Sequence, residues 1–222
     1  DLLRYDRRPI TPLNRAGTQL HPTRKLLQTR DGALWVGTDV VQFKNDVATH
    51  YSEGDGFIGG NVTSLFEDSH GGVWIGTNRG VSHFDGQKFA SPMFHDHPGI
   101  PTVNAITEDT NGNIWLGMPS GVAVYDQESM REHDTQDIPD TDTTKLTGHI
   151  SSLSTMDGLP SNEVRALLCV DDGAVWVATQ LGVCRWQDDV VEQFRVPKNI
   201  VCFLKDDSGG LWAGGDGLYH FN

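Results

Sequence analysis

Nine histidines, thirty acidic residues and three cysteines are the groups with which this chain could do chemistry. The densest cluster is His95-Asp96-His97, with His83 upstream. A His-x-His pair on a strand puts both rings on one face, but a zinc site needs further ligands, and no recurrent Cys or His supplies them. The segment reads as a polar connection, and neither a metal nor a cofactor is expected. Glu67 and Glu108 stand at equivalent places, seven residues before a tryptophan, where two carboxylates could divide acid and base work. The same place holds Gln28, Cys169 and Lys205 elsewhere, so the position reads as an edge polar group beside a turn. Aspartates before hairpin glycines suggest calcium, yet their number varies and no EF-hand loop is present, so they read as turn caps. With no GXSXG, HEXXH or phosphate-cradling glycine loop, no catalytic residue is assigned and an enzyme is not expected.

Composition narrows the partners. Seventeen basic against thirty acidic residues leave a formal charge of −13, which repels nucleic acid and anionic lipid alike. No stretch approaches the ~20 apolar residues that span a bilayer, so direct membrane insertion is not expected. Cys169, Cys184 and Cys202 form no CxxC pair and read as small core residues. The chain opens Asp-Leu-Leu, which is read as a mature product or an excised piece. With 25 Gly and 10 Pro, turns dominate over long helices, while six Trp and nine Phe supply apolar mass for a core.

Five tryptophans reveal what must position these groups. Trp35, Trp74, Trp115, Trp176 and Trp212 close the segments DGALWVGT, GGVWIGT, NGNIWLGM, DGAVWVAT and GGLWAGG, spaced 39, 41, 61 and 36 residues apart. Three residues before each stands Gly32, Gly71, Gly112, Gly173 or Gly209, as a tight hairpin requires. A second aromatic column holds Tyr5, Phe43, Phe84, Tyr125, Trp186 and Phe221. Apolar pairs such as Leu65-Phe66 and Leu167-Leu168 precede each turn, which indicates strands covered on both faces. The period of about 40 residues therefore reads as four short antiparallel strands, and radial stacking of such sheets makes an all-β propeller. The expected units are a partial one at 1–14, then 15–55, 56–97, 98–157 with an insertion at 127–149, 158–197 and 198–222.

The segments NVTSLFEDSHGGVWIGTNRGVSHFD and DGLPSNEVRALLCVDDGAVWVATQLGVCRW resemble the propeller repeats of bacterial two-component regulators. The resemblance implies a noncatalytic ligand-sensing domain of a hybrid histidine kinase or related receptor, periplasmic or extracellular, with its signalling modules elsewhere. In such a propeller the loops between second and third strands share a rim with the connections entering each blade. The rim then gathers Asp39, Asn78, Arg79, Gln180 and Asp216 with Asn61, Asn162 and Asn199, as well as Ser120, Thr102 and His97. These amides and charges suit hydrogen bonding to a polar small molecule or oligosaccharide, with Arg79 the one basic side chain in the loops after the Trp strands.

Strand counting leaves a surplus. Residues 2–6 and 217–222 both match a third strand, giving six such strands for five Trp repeats. Either the chain is a window on a larger ring with further blades, or it is a five-bladed ring with a spare strand. In the second case Arg8 to Leu13 completes the last blade and a terminal segment pairs outside a blade. A structural or protein-interaction propeller, self-associating through that strand with other protein chains, is the alternative function, and a carbohydrate-active enzyme is a third.

Overall fold

A computed structural model of the chain describes residues 3–4, 11–12, 25–37, 40–92, 102–126, 145–146, 150–194, 199–206 and 209–221. Strands β1 (Leu3–Arg4) and β2 (Thr11–Pro12) pair only with each other. The first blade follows, in hydrogen-bonded order β3 (Lys25–Gln28), β4 (Leu34–Gly37), β5 (Val41–Lys44) and β6 (Val47–His50). The second comprises β7 (Val62–Glu67), β8 (Val73–Thr77), β9 (Gly80–Phe84) and β10 (Phe89–Pro92). The third begins with β11 (Ala105–Glu108), β12 (Ile114–Met118) and β13 (Gly121–Tyr125). Strand β14 (Lys145–Leu146) then crosses back to lie parallel to β10, before β15 (Ile150–Leu153) completes the third blade. The fourth is β16 (Val164–Cys169), β17 (Val175–Thr179), β18 (Gly182–Gln187) and β19 (Val190–Phe194). Three strands, β20 (Cys202–Lys205), β21 (Leu211–Gly214) and β22 (Leu218–Phe221), make the fifth.

The chain is thus an all-β propeller array, as the 40-residue repeat requires. Three expectations change in detail. The insertion supplies a strand, β14, where its polar sequence suggested none. Thr11–Pro12 lies beside Leu3–Arg4 and not at the edge of the last blade, so that blade keeps three strands among the described residues. Leu3–Arg4 is no third strand of a blade; its ladder partner among the described residues is Thr11–Pro12.

Local chemistry explains the hairpins. The glycine three residues before each Trp holds φ between 82° and 87°, a conformation that a side chain would strain. The turns Asn45-Asp46 and Asp188-Asp189 take positive φ at both positions, the left-handed pair that matches the twist of adjoining strands.

Packing between blades makes the core. Trp35 meets Phe84 of the next blade with ring centroids 5.3 Å apart, and Trp74 meets Tyr125 at 6.0 Å. Trp115 meets Trp186 at 6.3 Å, and Trp176 meets Phe221 at 5.0 Å. The two aromatic columns of the sequence are therefore the two sides of one repeated interface. Gly37, Gly76 and Gly117, two residues after their Trp, lie against Val62, Val103 and Val164 of the following blade, where a Cβ would collide. The Tyr125 hydroxyl is buried with no hydrogen-bond partner among the described residues.

Truncating Trp74 to Ala should cost about 3–5 kcal/mol through the cavity it leaves. Tyr125→Phe should be neutral or stabilising, because it deletes a buried group without a partner. Denaturant midpoints of the two variants check both expectations, and a clear loss in Tyr125→Phe contradicts the second.

Candidate functional site

The innermost strands β3, β7, β11, β16 and β20 contact one another in succession and together surround one cavity of about 330 Å³. Its polar lining comes from Lys25, Ser64, Asn104 and Arg165, and its apolar lining includes Leu65, Ile106, Leu167 and Phe203. Small residues fill the column facing it, with Ser64, Ala105 and Ala166 buried. The strands converge there, and larger groups would crowd.

At the start of these strands the chain bulges. Thr63 and Arg165 sit where the register shifts, and each reaches towards the next blade. Thr63 Oγ1 donates to the Val103 carbonyl, and Asn104 Nδ2 donates to the Val164 carbonyl at 2.8 Å. Arg165 Nη1 donates to Asn199 Oδ1 at 2.7 Å, while its Nη2 holds Glu163 Oε1 at 3.0 Å. Asn199 in turn donates to Asp216 Oδ2 at 2.7 Å. A polar chain from Glu163 through Arg165 and Asn199 to Asp216 therefore runs across the fourth and fifth blades at the cavity mouth.

A second cluster sits on the same rim between the first two blades. Asn61 donates its backbone N–H to Asn78 Oδ1 at 2.8 Å, and the Asn78 N–H returns a bond to the Asn61 carbonyl at 3.1 Å. Arg79 Nη1 pairs with Glu53 Oε1 at 2.6 Å. Glu53 belongs to a 3-10 turn, Glu53–Asp55, capped by Ser52 and Asp55, and Ser154 and Asp157 cap the matching turn Thr155–Asp157. Asn162 Oδ1 accepts from the Thr155 N–H at 2.8 Å, and the Gln180 N–H bonds the Glu163 carbonyl at 2.9 Å. The structure thus joins Asn61, Asn78 and Arg79 in one cluster and Asn199 and Asp216 in another. Asn162 and Gln180 serve their own loops. Asp39 lies outside the described residues, as do His95, Asp96 and His97.

The paired carboxylates Glu67 and Glu108 stand at the opposite end of the innermost strands and hold blades together. Glu67 Oε2 accepts from the Arg30 N–H at 2.9 Å and its Oε1 lies 3.3 Å from Arg30 Nε. Glu108 accepts from the Ser69 N–H and hydroxyl, each at 2.6 Å. In the fifth blade Lys205 pairs with Asp171 of the fourth, the same latch with its charges exchanged. Burial raises the Cys169 thiol and pushes Cys184 up to about 12, which leaves both without nucleophilic thiolate at neutral pH.

Sequence reading missed Arg165 and Glu163, which look like ordinary strand residues until the bulge turns Arg165 to the cavity mouth. The aspartates before the hairpin glycines cap their turns as expected, with Asp68 accepting from the His70 and Gly72 N–H groups, but their bond to the tryptophan six residues on was not foreseen. Asp68 accepts from the Trp74 indole N–H at 2.9 Å, Asp109 from Trp115 at 2.9 Å and Asp206 from Trp212 at 3.1 Å. His83 Nε2 closes on Asp68 Oδ2 at 3.0 Å and lies over Trp74, with ring centroids 4.5 Å apart. Burial opposes the charge on Asp68, yet bonds from His83, Trp74 and the Gly72 N–H hold its carboxyl below the ordinary carboxylate range.

With this geometry in hand, comparison with known proteins is informative. Residues 56–79, 99–120 and 158–180 match the two component regulator propeller family. Three segments of the chain are thus similar to two component regulator propeller repeats. Its fold is similar to the extracellular domain of a putative one component system from B. thetaiotaomicron, with TM-score 0.71 and 19% identity over 89% of this chain and 29% of that one. PorZ, a bacterial surface component of the type-IX secretion system of Porphyromonas gingivalis, aligns with TM-score 0.66 and 16% identity over 95% of this chain and 34% of that one. Virginiamycin B lyase from Staphylococcus aureus aligns with TM-score 0.63 and 16% identity over 89% of this chain and 68% of that one. The array of regulator repeats therefore spans less than a third of the first of these domains. No curated protein matches it by sequence. Among the described residues no helix is long and apolar enough to cross a membrane.

The lowered Asp68 carboxyl gives a pH dependence with a definite sign. Its contribution to stability is fully present above the unfolded carboxylate value of about 4 and is lost as pH falls through the lower folded value. Unfolding midpoints should therefore decline below about pH 4, and Asp68→Asn should flatten that decline while lowering stability at pH 7. A variant with an unchanged acid limb contradicts the assignment.

Proposed function

We propose that this array is the ligand-sensing part of an extracytoplasmic receptor and binds a polar small molecule or oligosaccharide at the rim around the central cavity. The observation that carries this reading is the convergence of Arg79, Asn78 and Asn61 with Arg165, Asn199 and Asp216 on one rim of a two component regulator propeller. Its chemistry is that of polyol recognition. Amide and guanidinium donors alternate with carboxylate acceptors, and the neighbouring cavity offers apolar walls against which a sugar ring can lie. Arg79 and Arg165 are the charged donors, and each is already aimed by a carboxylate, Glu53 and Glu163. A ligand with hydroxyl or carboxylate groups exchanges some of these internal bonds for its own.

A noncatalytic role fits the placement of the acidic pair, since Glu67 and Glu108 are committed to latches away from the rim. The similarity of fold to a lyase carries no residue of that enzyme into this chain.

Calorimetric titration of the chain with neutral and uronic oligosaccharides tests the proposal. Arg79→Ala and Arg165→Ala should each weaken binding about tenfold or more, the size expected for a charged hydrogen bond. Arg79→Ala should leave the melting temperature nearly unchanged, because its ion pair is exposed. Unaltered affinity in both variants removes the rim from consideration.

A further inference from the structure

The central cavity takes its lining from all five blades, and its charges run against those of the chain. Acidic residues outnumber basic ones 30 to 17, so a lining drawn evenly from the sequence would carry more carboxylates than cations. Among the described residues the charged groups that line it are Lys25 and Arg165, and no carboxylate does. Glu163 holds Arg165 from outside the lining, and Glu67 and Glu108 are bound in latches at the far end of the innermost strands. Two cations therefore face one cavity in a molecule of net charge −13.

Ladder positions sort the lining into tiers. Lys25, Ser64, Ala105, Ala166 and Cys202 each pair with the residue two after their Trp, on the rim side, and Arg165 and Asn104 stand one residue nearer the rim. The next tier inward pairs with the residue one after Trp and holds Leu26, Leu65, Ile106, Leu167 and Phe203, apolar in every blade. A cationic and amide collar thus opens onto an apolar belt. A polyol seated against that belt leaves its hydroxyls without partners, which costs free energy, whereas a purely apolar guest makes no use of the collar. At about 330 Å³ the space is at the small end of ligand cavities, which run from ~300 to 1,000 Å³.

We infer that the ligand of this site is a small amphipathic organic anion, its carboxylate at the collar of Lys25 and Arg165 and its apolar body against the belt of Leu26, Leu65, Ile106, Leu167 and Phe203, an assignment that rests on the reading of the rim as a ligand site. The Arg165 guanidinium, held by Glu163 and Asn199, offers a fixed fork to a carboxylate, and Lys25 on the first blade adds a mobile charge. With its head at the open end the anion stays partly hydrated, so its charge need not be carried into the apolar belt. A neutral sugar gains nothing from either cation's charge, and a cation is repelled by both.

Cys202 lines the cavity and is the exposed one of the three free cysteines, so its thiol reports the field there. The test measures its labelling by an anionic methanethiosulfonate, the sulfonatoethyl reagent, and a cationic one, the trimethylammonioethyl reagent, with a Cys202→Ser chain as the blank. In each reaction the thiolate sulfur displaces methanesulfinate and forms a mixed disulfide. The anionic-to-cationic rate ratio, divided by that of free mercaptoethanol, should be about five or more, and Lys25→Gln and Arg165→Gln should each reduce it. A quotient at or below one means that the net charge of the chain prevails in the cavity, and overturns the inference. Ligand class is then read by adding phenylpropionate, its neutral amide or glucuronate at about 10 mM and constant ionic strength before the reagent. Phenylpropionate should slow labelling most, since it alone among them has both a carboxylate and an apolar body. Equal protection by the amide or by glucuronate overturns the inference, and so does protection by none of the three. Titration with neutral oligosaccharides separates the two readings. If they bind and the binding depends on Arg79 while phenylpropionate does not protect, the rim remains a ligand site and the amphipathic anion is excluded. If no oligosaccharide binds and nothing protects Cys202, both readings fall.

Discussion

A short four-stranded sheet has two faces and too little mass to bury either alone, and every other feature of this molecule follows from that constraint. The solution is a tryptophan on the second strand of each blade, laid against the third-strand aromatic of the next. Four such contacts, with centroids 5.0 to 6.3 Å apart, tie five blades into one array. Stability in this arrangement is a sum of neighbour terms, as in other repeat architectures. On the fifth blade, Leu204 and Leu218 lie exposed on the face that carries Trp212.

Because blades meet edge-on at their innermost strands, polar groups at the two ends of those strands are available to clip neighbours together. At one end Thr63, Asn104 and Arg165 reach forward to the next blade. At the other, Glu67, Glu108 and Lys205 reach back to the preceding one. The charge exchange between the Glu67–Arg30 and Lys205–Asp171 pairs shows that the geometry is retained while its chemistry varies. Much of the chain's acidity is spent on turns and latches. The cavity mouth is where charged side chains from different blades remain close together on an accessible rim, and Arg165 belongs to both roles.

The hairpins carry a second rule. Where the residue two before Trp is glycine, at Gly72 and Gly210, a third-strand histidine lies over the indole and bonds the aspartate, because a Cβ at that glycine would strike the imidazole. Where it is alanine, at Ala33 and Ala174, the turn instead carries an ion pair to the third strand, Asp31 with Lys44 and Asp172 with Arg185. Hydrogen bonds from Lys44, Thr29 and Ala33 hold the Asp31 carboxyl far below the ordinary range. Both kinds of pair tie a third-strand side chain to the turn.

The amino-acid sequence by itself determined the repeat, the strand pattern and both aromatic columns, since burial of large rings at fixed spacing and positive φ at turn glycines are local requirements written once per blade. Strand order also leads to the expectation of a common rim for Arg79, Asn78, Asp39, Gln180, Asp216, Asn61, Asn162 and Asn199, because loop position follows from it. Only the tertiary structure decided that Glu67 and Glu108 are latches, that Arg165 turns to the cavity mouth and that Lys145–Leu146 joins the second blade. Among the described residues, it alone gives Trp212 the imidazole of His220 as its ring neighbour, where its four equivalents meet an aromatic of the next blade. Those outcomes depend on which groups from separate repeats come within bonding distance across a blade interface, and no spacing along one chain encodes that distance.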